Sequence, residues 1–313
     1  MGEQVTAFAP ASIGNLGVGF DMLGLALADV GDRVLARRQD DPGITVAHVF
    51  GLDGEPHPYL STDPEHNTAS LAARALWNDY GDQGGVALSI YKGVPLQSGM
   101  GSSAASAVAA AFAVNELLGT PVTTERLLSY ALVGEQYASG GLHADNVAPS
   151  LLGGLIFCPQ VLLPQTVRLP VPRGVSAVLV HPELQVNTAH ARAKLAKGYS
   201  MEQWLTQQAY LGGFIAACAA SDIDLIRRTL KDVIIEPQRT SAVPCFNAVK
   251  EAAERSGALG VSLSGSGPSI FALCEDNAAQ NMATAMEQAC RGLGFDCQSF
   301  VSPLNAPGAH LEP

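Results

Sequence analysis

The sequence has little charge, and little of that charge is positive. Charged residues make up 15% of the 313 residues, and 18 Lys and Arg against 29 Asp and Glu give a formal net charge of −11. No segment clusters Lys or Arg, so the counterion release that drives binding to nucleic acids and anionic membranes has no source here. We therefore expect neither a nucleic acid nor a membrane as partner.

Paired cysteine motifs and long apolar runs are also missing. The six cysteines are scattered without a CxxC pair or an accompanying histidine pattern, which predicts reduced core residues and no zinc site. The longest apolar run, residues 107–114, is far shorter than the roughly 18 residues that a membrane helix needs. Because no basic segment followed by an apolar one opens the chain, we expect a cytoplasmic protein.

The chain is long enough for two domains and mixes strand-like with helix-like segments. Alternating apolar residues predict strands in both halves, and apolar positions at helical spacing predict helices such as residues 123–138. The glycine-rich segment SGGLHADN that follows this helix is predicted to be a turn. Prolines become frequent between residues 159 and 172, where we place the domain boundary. The expected fold class is α+β, with domains over residues 1–165 and 166–313.

One segment, PLQSGMGSSAASAVAAAFAVN from Pro95 to Asn115, has the composition of a phosphate-binding loop but matches neither common nucleotide motif. The Walker loop requires a lysine before its Ser or Thr, and here Gly101 is followed by Ser102. The Rossmann fingerprint requires a third glycine, and Ala104 takes that place. Glycines followed by serines that open a helix still direct unpaired N–H groups and the positive helix end to one point, where an anion fits. A capped core helix is the alternative that this segment leaves open.

Two further glycine-rich segments carry small polar residues. NLGVGFD, residues 15–21, places an amide and a carboxylate around two glycines, and SGSGPS, residues 264–269, lies between two predicted strands. Each alone is typical of a tight turn. Three such segments in a chain with so little other charge favour a shared ligand site over three independent turns.

Six segments follow one another in an order that is typical of a known family. They are PASIGNLGVGFDMLGLAL, PLQSGMGSSAASAVAA, HADNVAPSLLGG, NTAHARAKL, EPQR and GVSLSGSGPSIFAL. This order resembles the GHMP kinase superfamily over essentially the whole chain, and NLGVGFD and DNVAPSLLGG narrow the resemblance to the members that phosphorylate homoserine. The resemblance implies a two-domain GHMP kinase fold, in which the N-terminal domain is like domain 2 of ribosomal protein S5 and the C-terminal domain is ferredoxin-like.

The resemblance also implies an activity, the phosphorylation of the terminal hydroxyl of L-homoserine by ATP and Mg²⁺, a step of threonine biosynthesis. The segment that wraps the ATP phosphates in the family corresponds to residues 95–105, with Gln97 where glycine is common and Met100 in place of leucine. Mg²⁺ is assigned to Ser103 and Glu135, whose hard oxygen atoms suit this ion. The residues assigned to ATP are Pro95, Leu96, Gln97, Ser98, Gly99, Met100, Gly101, Ser102, Ser103, Ala104, Ala105, Asn67, Gly265, Ser266 and Gly267.

By the same resemblance, a second set of residues binds the amino acid. Asn15, Asp21 and Asp145 orient its amine and hydroxyl. Arg192 and Arg239 hold its carboxylate, which a guanidinium group can bind through two hydrogen bonds. The full set assigned to homoserine is Asn15, Asp21, Asp145, Asn146, Thr188, Arg192 and Arg239.

The residues that the resemblance assigns to catalysis are Ser103, Glu135, Asp145 and Asn146. Related members of the superfamily place an aspartate as base where Asn146 falls, and an amide cannot accept the proton of a hydroxyl. Phosphoryl transfer passes through a loose transition state, so positioning and charge neutralisation supply most of the acceleration. We therefore predict direct in-line transfer without a dedicated protein base.

Two other functions stay open on the sequence alone, a GHMP kinase for a different small molecule and a non-catalytic ATP-binding sensor on the same fold. The roles of two histidines are open as well. His143 lies in the glycine-rich segment before Asp145, and His310 stands where the family usually has Arg or Lys. A homodimer is the habit of the family and is the assembly that we expect.

Overall fold

The computed structural model describes residues 3–312, apart from the side chain of Ser139. The strands are β1 Gln4–Gly14, β2 Leu23–Gln39, β3 Gly43–Phe50, β4 Gly85–Tyr91, β5 Leu155–Phe157, β6 Val167–Arg168, β7 Val175–Pro182, β8 Gly260–Leu263, β9 Ile270–Glu275, β10 Cys297–Pro303 and β11 His310–Glu312. The α-helices are α1 Thr68–Tyr80, α2 Ser102–Leu117, α3 Thr124–Ser139, α4 Ala144–Leu152, α5 Thr188–Ala193, α6 Met201–Ala220, α7 Ile223–Thr229, α8 Glu236–Arg239, α9 Phe246–Arg255 and α10 Ala279–Arg291. The expected α+β class is confirmed.

The first sheet has the strand order β11-β1-β2-β4-β3, with β5 beside β2 and β6 beside β5. Its neighbours are antiparallel except β3 and β4, a parallel pair that the chain joins through α1. Helices α1 to α4 share one apolar core with this sheet. Helix α2 lies at the centre of that core, because its alanines are small enough to be buried on every side of the helix.

The second sheet has the order β10-β7-β9-β8 and is antiparallel throughout. Helices α9 and α10 pack on it around one core cluster. A further cluster joins the two sheets, since it contains Ile13 and Leu25 of the first sheet, Leu179 and Phe271 of the second, and Phe214 of α6. The end of β1 and the loop after it are therefore fixed by packing from both halves of the chain.

The chain crosses between the two sheets more than once. Residues 167–168 and 310–312 follow position 165 but pair with β5 and β1 in the first sheet. The division into residues 1–165 and 166–313 remains a prediction. Over residues 3–312, none of the helices has both the length and the apolar composition that a membrane span requires.

The prediction that SGGLHADN is wholly a turn is wrong at its end. Helix α4 begins at Ala144, so Asp145 and Asn146 lie in its first turn. This helix is short and contains Pro149, so it has too few turns to show a clear helical period in the sequence. Its start places the Asp145 carboxylate at the positive end of the helix dipole, where a negative charge is stabilised.

Candidate active site

The three glycine-rich segments meet at one place in the fold. The N–H of Ser12 donates to the carbonyl of Met100 at 3.0 Å, which joins β1 to the loop before α2. The Oγ of Ser264 donates to the carbonyl of Gly99 at 2.6 Å, and the N–H of Gly265 donates to the carbonyl of Gly14 at 3.0 Å. The segments line a cavity of about 390 Å³, which is in the range of small-molecule sites.

The N-terminus of α2 opens into this cavity through Gly101, Ser102 and Ser103. Gly101 is the N-cap residue, with a left-handed φ of 69°, and in the described part of the chain no side chain caps the helix. The Oγ of Ser102 donates to the carbonyl of Val94 at 2.8 Å, so this hydroxyl points back to the loop before the helix. The first N–H groups of α2 have no capping side chain, which leaves them suited to an anion.

Close contact between the loop and the SGSGPS turn requires glycine at position 99. Gly99 has a φ of 78°, and a Cβ atom built there would lie 2.5 Å from the carbonyl oxygen of Ser264 and 2.7 Å from that of Gly267. A side chain would therefore meet rigid backbone in addition to the strain of the left-handed conformation.

A hydroxyl and a carboxylate lie together beside the start of α2. The Oγ of Ser103 donates to Oε2 of Glu135, on α3, at 2.6 Å, and both residues line the cavity. Among residues 3–312 there is no cluster of three or more His, Cys, Asp or Glu side chains that could hold a metal ion. Ser103 and Glu135 nevertheless fit Mg²⁺, which is usually held by one or two side chains together with phosphates and water.

A buried lysine that we did not single out in the sequence supports the first turn of α2. The Nζ of Lys92 donates to the carbonyl of Ser102 at 2.9 Å and forms a buried ion pair with Asp32 on β2. The carboxylate of Asp32 also accepts from the N–H groups of the two residues after Lys92, at 2.9 and 3.1 Å. The sequence feature that could have identified Lys92 is its isolation, because it is the only lysine before Lys194.

An ion pair crosses the part of the cavity assigned to the amino acid. Arg192, on α5, donates through Nη1 and Nη2 to the two carboxylate oxygens of Asp21, at 2.8 and 2.7 Å. The Nδ1 atom of His143 lies 3.7 Å from Asp21. Burial lowers the pKa of His143, and the charges of Arg192 and Arg239 lower it further, although Asp21 raises it. His143 is therefore neutral at pH 7, and Asp21, Arg192 and Arg239 carry charge at this end of the cavity.

Arg239 is the more deeply buried of the two arginines. Its Nη1 donates to the carbonyl of Gly265 at 2.8 Å, and burial followed by the like charge of Arg192 lowers its pKa. The buried Nε atoms of Arg192 and Arg239 have no hydrogen-bond partner within residues 3–312. Unpaired buried donors are costly, so both arginines are suited to receive an anionic ligand.

Asn15 forms hydrogen bonds to three segments at the end of the cavity that is assigned to the amino acid. Its N–H donates to Oδ2 of Asp145 at 3.0 Å, its Nδ2 donates to the carbonyl of Gly265 at 2.9 Å, and its Oδ1 accepts from the N–H of Asp21 at 3.0 Å. Asn15 has a φ of 65°, which asparagine tolerates better than most residues do. Its side chain therefore holds three segments in place around the cavity.

Asp145 is buried, and burial raises its pKa from the ordinary value of 3.8 to about 7, with the nearby charge of Asp21 acting in the same direction. The N–H of Asn15 and the charge of Arg192 oppose this change only in part.

The neighbouring residue, Asn146, is held by a serine of β1. Its Oδ1 accepts from the hydroxyl of Ser12 at 3.0 Å. Ser12, which the sequence did not mark, thus orients the amide of Asn146.

Most of the residues predicted from the sequence line this one cavity. They are Asn15, Asp21, Asn67, Leu96, Gln97, Ser98, Gly99, Gly101, Ser102, Ser103, Glu135, Asp145, Asn146, Thr188, Arg192, Arg239, Gly265 and Ser266, together with His143. Five others do not line it, namely Pro95, Met100, Ala104, Ala105 and Gly267. Met100 and the two alanines are buried in the core, so their part is to support the loop.

Two residues singled out in the sequence, Asn67 and His310, have structural partners of their own. Asn67 caps α1, because its Oδ1 accepts from the N–H groups of Ala69 and Ser70 while its Nδ2 donates to the carbonyl of Ser61. His310 lies on β11 with its ring 5.2 Å from that of Phe8, and it does not line the cavity. The fold therefore places His310 away from the site.

The chain has the fold of the GHMP kinases. The family model described as "GHMP kinases N terminal domain" matches residues 67–154, and "GHMP kinases C terminal" matches residues 214–292. A homoserine kinase of Xylella fastidiosa (strain M12) is 44% identical over 310 residues, which cover 99% of this chain and 94% of that protein. The chain belongs to the homoserine kinase family, and the resemblance read from its sequence is confirmed.

Solved structures agree with this assignment. The crystal structure of homoserine kinase from Cytophaga hutchinsonii superimposes with a TM-score of 0.95 at 39% identity, and the match covers 100% of this chain and 98% of that one. The L. major mevalonate kinase in complex with R-mevalonate has a TM-score of 0.69 at 15% identity over 98% of this chain and 97% of that one. At that identity the second comparison shows the fold alone.

Replacing Gly99 by alanine tests the contact between the loop and the SGSGPS turn. Gly119→Ala is the matched control, because Gly119 has a φ of 80° and open space around its Cβ position. We expect Gly119→Ala to lower the free energy of unfolding by about 1 kcal/mol and Gly99→Ala by about 2–4 kcal/mol, since a steric clash adds to the same backbone strain. Urea denaturation measures both, and equal losses would refute the close contact.

Replacing Asp145 by asparagine tests its raised pKa. The folded protein keeps this proton up to about pH 7, whereas the unfolded chain loses it near pH 4, so the wild type loses stability as the pH rises through this range. The amide that Asp145→Asn introduces cannot ionise and still offers an oxygen to the N–H of Asn15.

We expect Asp145→Asn to raise the free energy of unfolding, relative to the wild type, by on the order of 3 kcal/mol more at pH 8.5 than at pH 4. Urea denaturation at the two pH values measures the difference. Asp29→Asn, at an exposed position of β2, is the control. A difference between wild type and Asp145→Asn that does not vary with pH would show that folding leaves the pKa of this carboxyl at its ordinary value.

Proposed function

We propose that this chain transfers the γ-phosphoryl group of ATP to the terminal hydroxyl of L-homoserine and forms O-phospho-L-homoserine, a step of threonine biosynthesis. The observation that carries the proposal is that one cavity combines the N-terminus of α2 with Asp21, Arg192 and Arg239. The helix N-terminus suits phosphates, and the carboxylate and guanidinium groups suit a ligand with both an ammonium and a carboxylate group. Membership of the homoserine kinase family supports the same activity.

ATP would bind around the first turn of α2. The cavity there also has apolar lining from Val49, Leu60, Ile90 and Leu96, which suits a nucleotide base. Ser103 and Glu135 would hold Mg²⁺ by their oxygen atoms. When bound, this ion neutralises charge on the phosphates.

Homoserine would bind by exchange with the ion pair between Asp21 and Arg192. Its ammonium group would take the place of the guanidinium next to Asp21, and its carboxylate would take the place of Asp21 next to Arg192, with Arg239 as a second donor. The two unpaired Nε atoms support this assignment, because a bound carboxylate brings acceptors that the protein does not provide.

The chemical step is an in-line displacement. The hydroxyl oxygen of homoserine forms a bond to the γ-phosphorus, the bond from that phosphorus to the bridging oxygen of ADP breaks, and the hydroxyl proton leaves late to a phosphate oxygen. Asn146, held by Ser12, positions the hydroxyl without accepting its proton. The N–H groups of α2 would stabilise the phosphates throughout, and Lys92, which is paired with Asp32, supports the first turn of that helix.

Two properties of the protein in the cell belong to the same proposal. Its substrates are small and water-soluble, which fits an enzyme of the cytoplasm. We also propose a homodimer, as expected from the family.

A coupled assay of ADP release tests the function. We expect turnover with homoserine that requires Mg²⁺, and a kcat/KM at least about 100-fold lower with mevalonate, which has no ammonium group to pair with Asp21. Serine and threonine complete the panel of substrates. Ser103→Ala removes a proposed Mg²⁺ ligand and is the control for ADP that is released at a different site. A preference for mevalonate would favour a different GHMP kinase, and ATP binding without turnover would favour a sensor.

The absence of a protein base is tested by Asn146→Asp. We expect kcat to fall by about tenfold or more, because a new carboxylate beside Asp145 repels the incoming phosphates and the step needs no base. Steady-state kinetics with homoserine measure the change, and Asn146→Ala shows the effect of losing the amide alone. A gain in kcat of orders of magnitude for Asn146→Asp would contradict the mechanism.

A further inference from the structure

The ring of Phe20 contacts both arginines of the amino-acid end. The Cζ atom of Arg192 lies 5.1 Å from the centroid of this ring, and the Cζ atom of Arg239 lies 5.1 Å from it as well. A cation over an aromatic face is attracted by the negative face of the ring, and the attraction is larger where water is excluded. One side chain therefore stabilises two like charges at the same time.

Phe20 is held in place by its backbone. The N–H of Asp21, the next residue, donates to Oδ1 of Asn15, and the N–H of Gly19, the previous one, donates to the carbonyl of Asn15 at 2.9 Å. Of the apolar core clusters formed by residues 3–312, none includes Phe20. The ring is thus a half-buried group whose described ring contacts are the two guanidinium groups.

The two arginines have few other fixed partners. Arg192 is bound to Asp21, and Arg239 is bound to the carbonyl of Gly265. If the substrate's ammonium group displaces Arg192 from Asp21, the contact with Phe20 is the one that stays. The ring can therefore keep Arg192 near Arg239 while the substrate carboxylate enters.

We propose that Phe20 is a positioning residue for recognition of the substrate carboxylate, because its ring contacts the guanidinium groups of both Arg192 and Arg239. The inference rests on the proposed function. It adds an aromatic residue, without any polar atom of its own, to the parts of the site that select an amino acid.

The test compares Phe20→Leu and Phe20→Met, which remove the aromatic face, with Phe20→Tyr, which keeps it. We expect the KM for homoserine to rise about tenfold in the Leu and Met variants, equivalent to about 1.4 kcal/mol. We expect kcat and the KM for ATP to stay within about twofold of the wild type, and the Tyr variant to resemble the wild type in all three. Two aliphatic variants keep the test usable if one of them folds poorly.

Competitive inhibitors separate positioning from a general structural role. α-Aminobutyrate keeps the carboxylate and ammonium of homoserine but lacks the hydroxyl, whereas aminopropanol keeps the ammonium and hydroxyl but lacks the carboxylate. We expect the Ki of α-aminobutyrate to rise about tenfold in Phe20→Leu and the Ki of aminopropanol to change by less than about twofold, because only the first ligand has a carboxylate for the two arginines to bind.

Three outcomes would overturn the inference: an unchanged KM for homoserine in both aliphatic variants, equal loss of affinity for both inhibitors, or a fall in kcat with a rise in the KM for ATP. The proposed function is judged separately by the wild type. A wild type that phosphorylates homoserine, together with aliphatic variants that equal it, refutes the role of Phe20 and leaves the function intact.

Discussion

The site depends on the backbone contact between the loop before α2 and the SGSGPS turn of the second sheet. Gly99 brings the loop so close to the turn that its carbonyl accepts from Ser264 and no side chain fits between them. The same turn receives Asn15 and Arg239 through the carbonyl of Gly265. The N–H groups proposed to bind phosphate and the side chains proposed to bind the substrate come from distant parts of the chain, and this contact sets the distance between them.

Although the chain is acidic overall, three cationic side chains lie at the site that we propose for anionic ligands. Lys92 lies under the first turn of α2, and Arg192 and Arg239 line the same cavity. Each has a partner that limits its cost of burial, namely Asp32, Asp21 and the carbonyl of Gly265. A Walker lysine is absent from the loop, so the helix N–H groups are the main source of positive potential there, and the lysine directly after the preceding strand supports the helix turn that presents them.

The sequence allowed prediction of the fold class from its strand-like and helix-like segments, and the resemblance of six segments to a known family implied most of the residues that line the cavity. It did not indicate Ser12, Phe20 or Lys92. Ser12 and Lys92 act through partners on other elements, Asn146 and Asp32, and Phe20 acts through arginines that lie more than 170 residues away in the chain. Helix α4 was missed because a short helix with an internal proline has too few turns to show a period. Local patterns thus identify loops, whereas tertiary packing decides which buried side chains support them.

The ion pair between Asp21 and Arg192 gives the cavity a means of selecting ligands by charge. A zwitterion that enters can replace both partners at once, so each protein charge exchanges one opposite charge for another. A ligand with only a carboxylate would separate the pair and leave Asp21 partly buried without a cation, and a ligand with only an ammonium group would leave Arg192 without an anion. An uncompensated charge in such a place costs several kcal/mol. Under the proposed binding mode, selection against hydroxy acids and amino alcohols therefore follows from breaking this pair, in addition to the contacts that homoserine would gain.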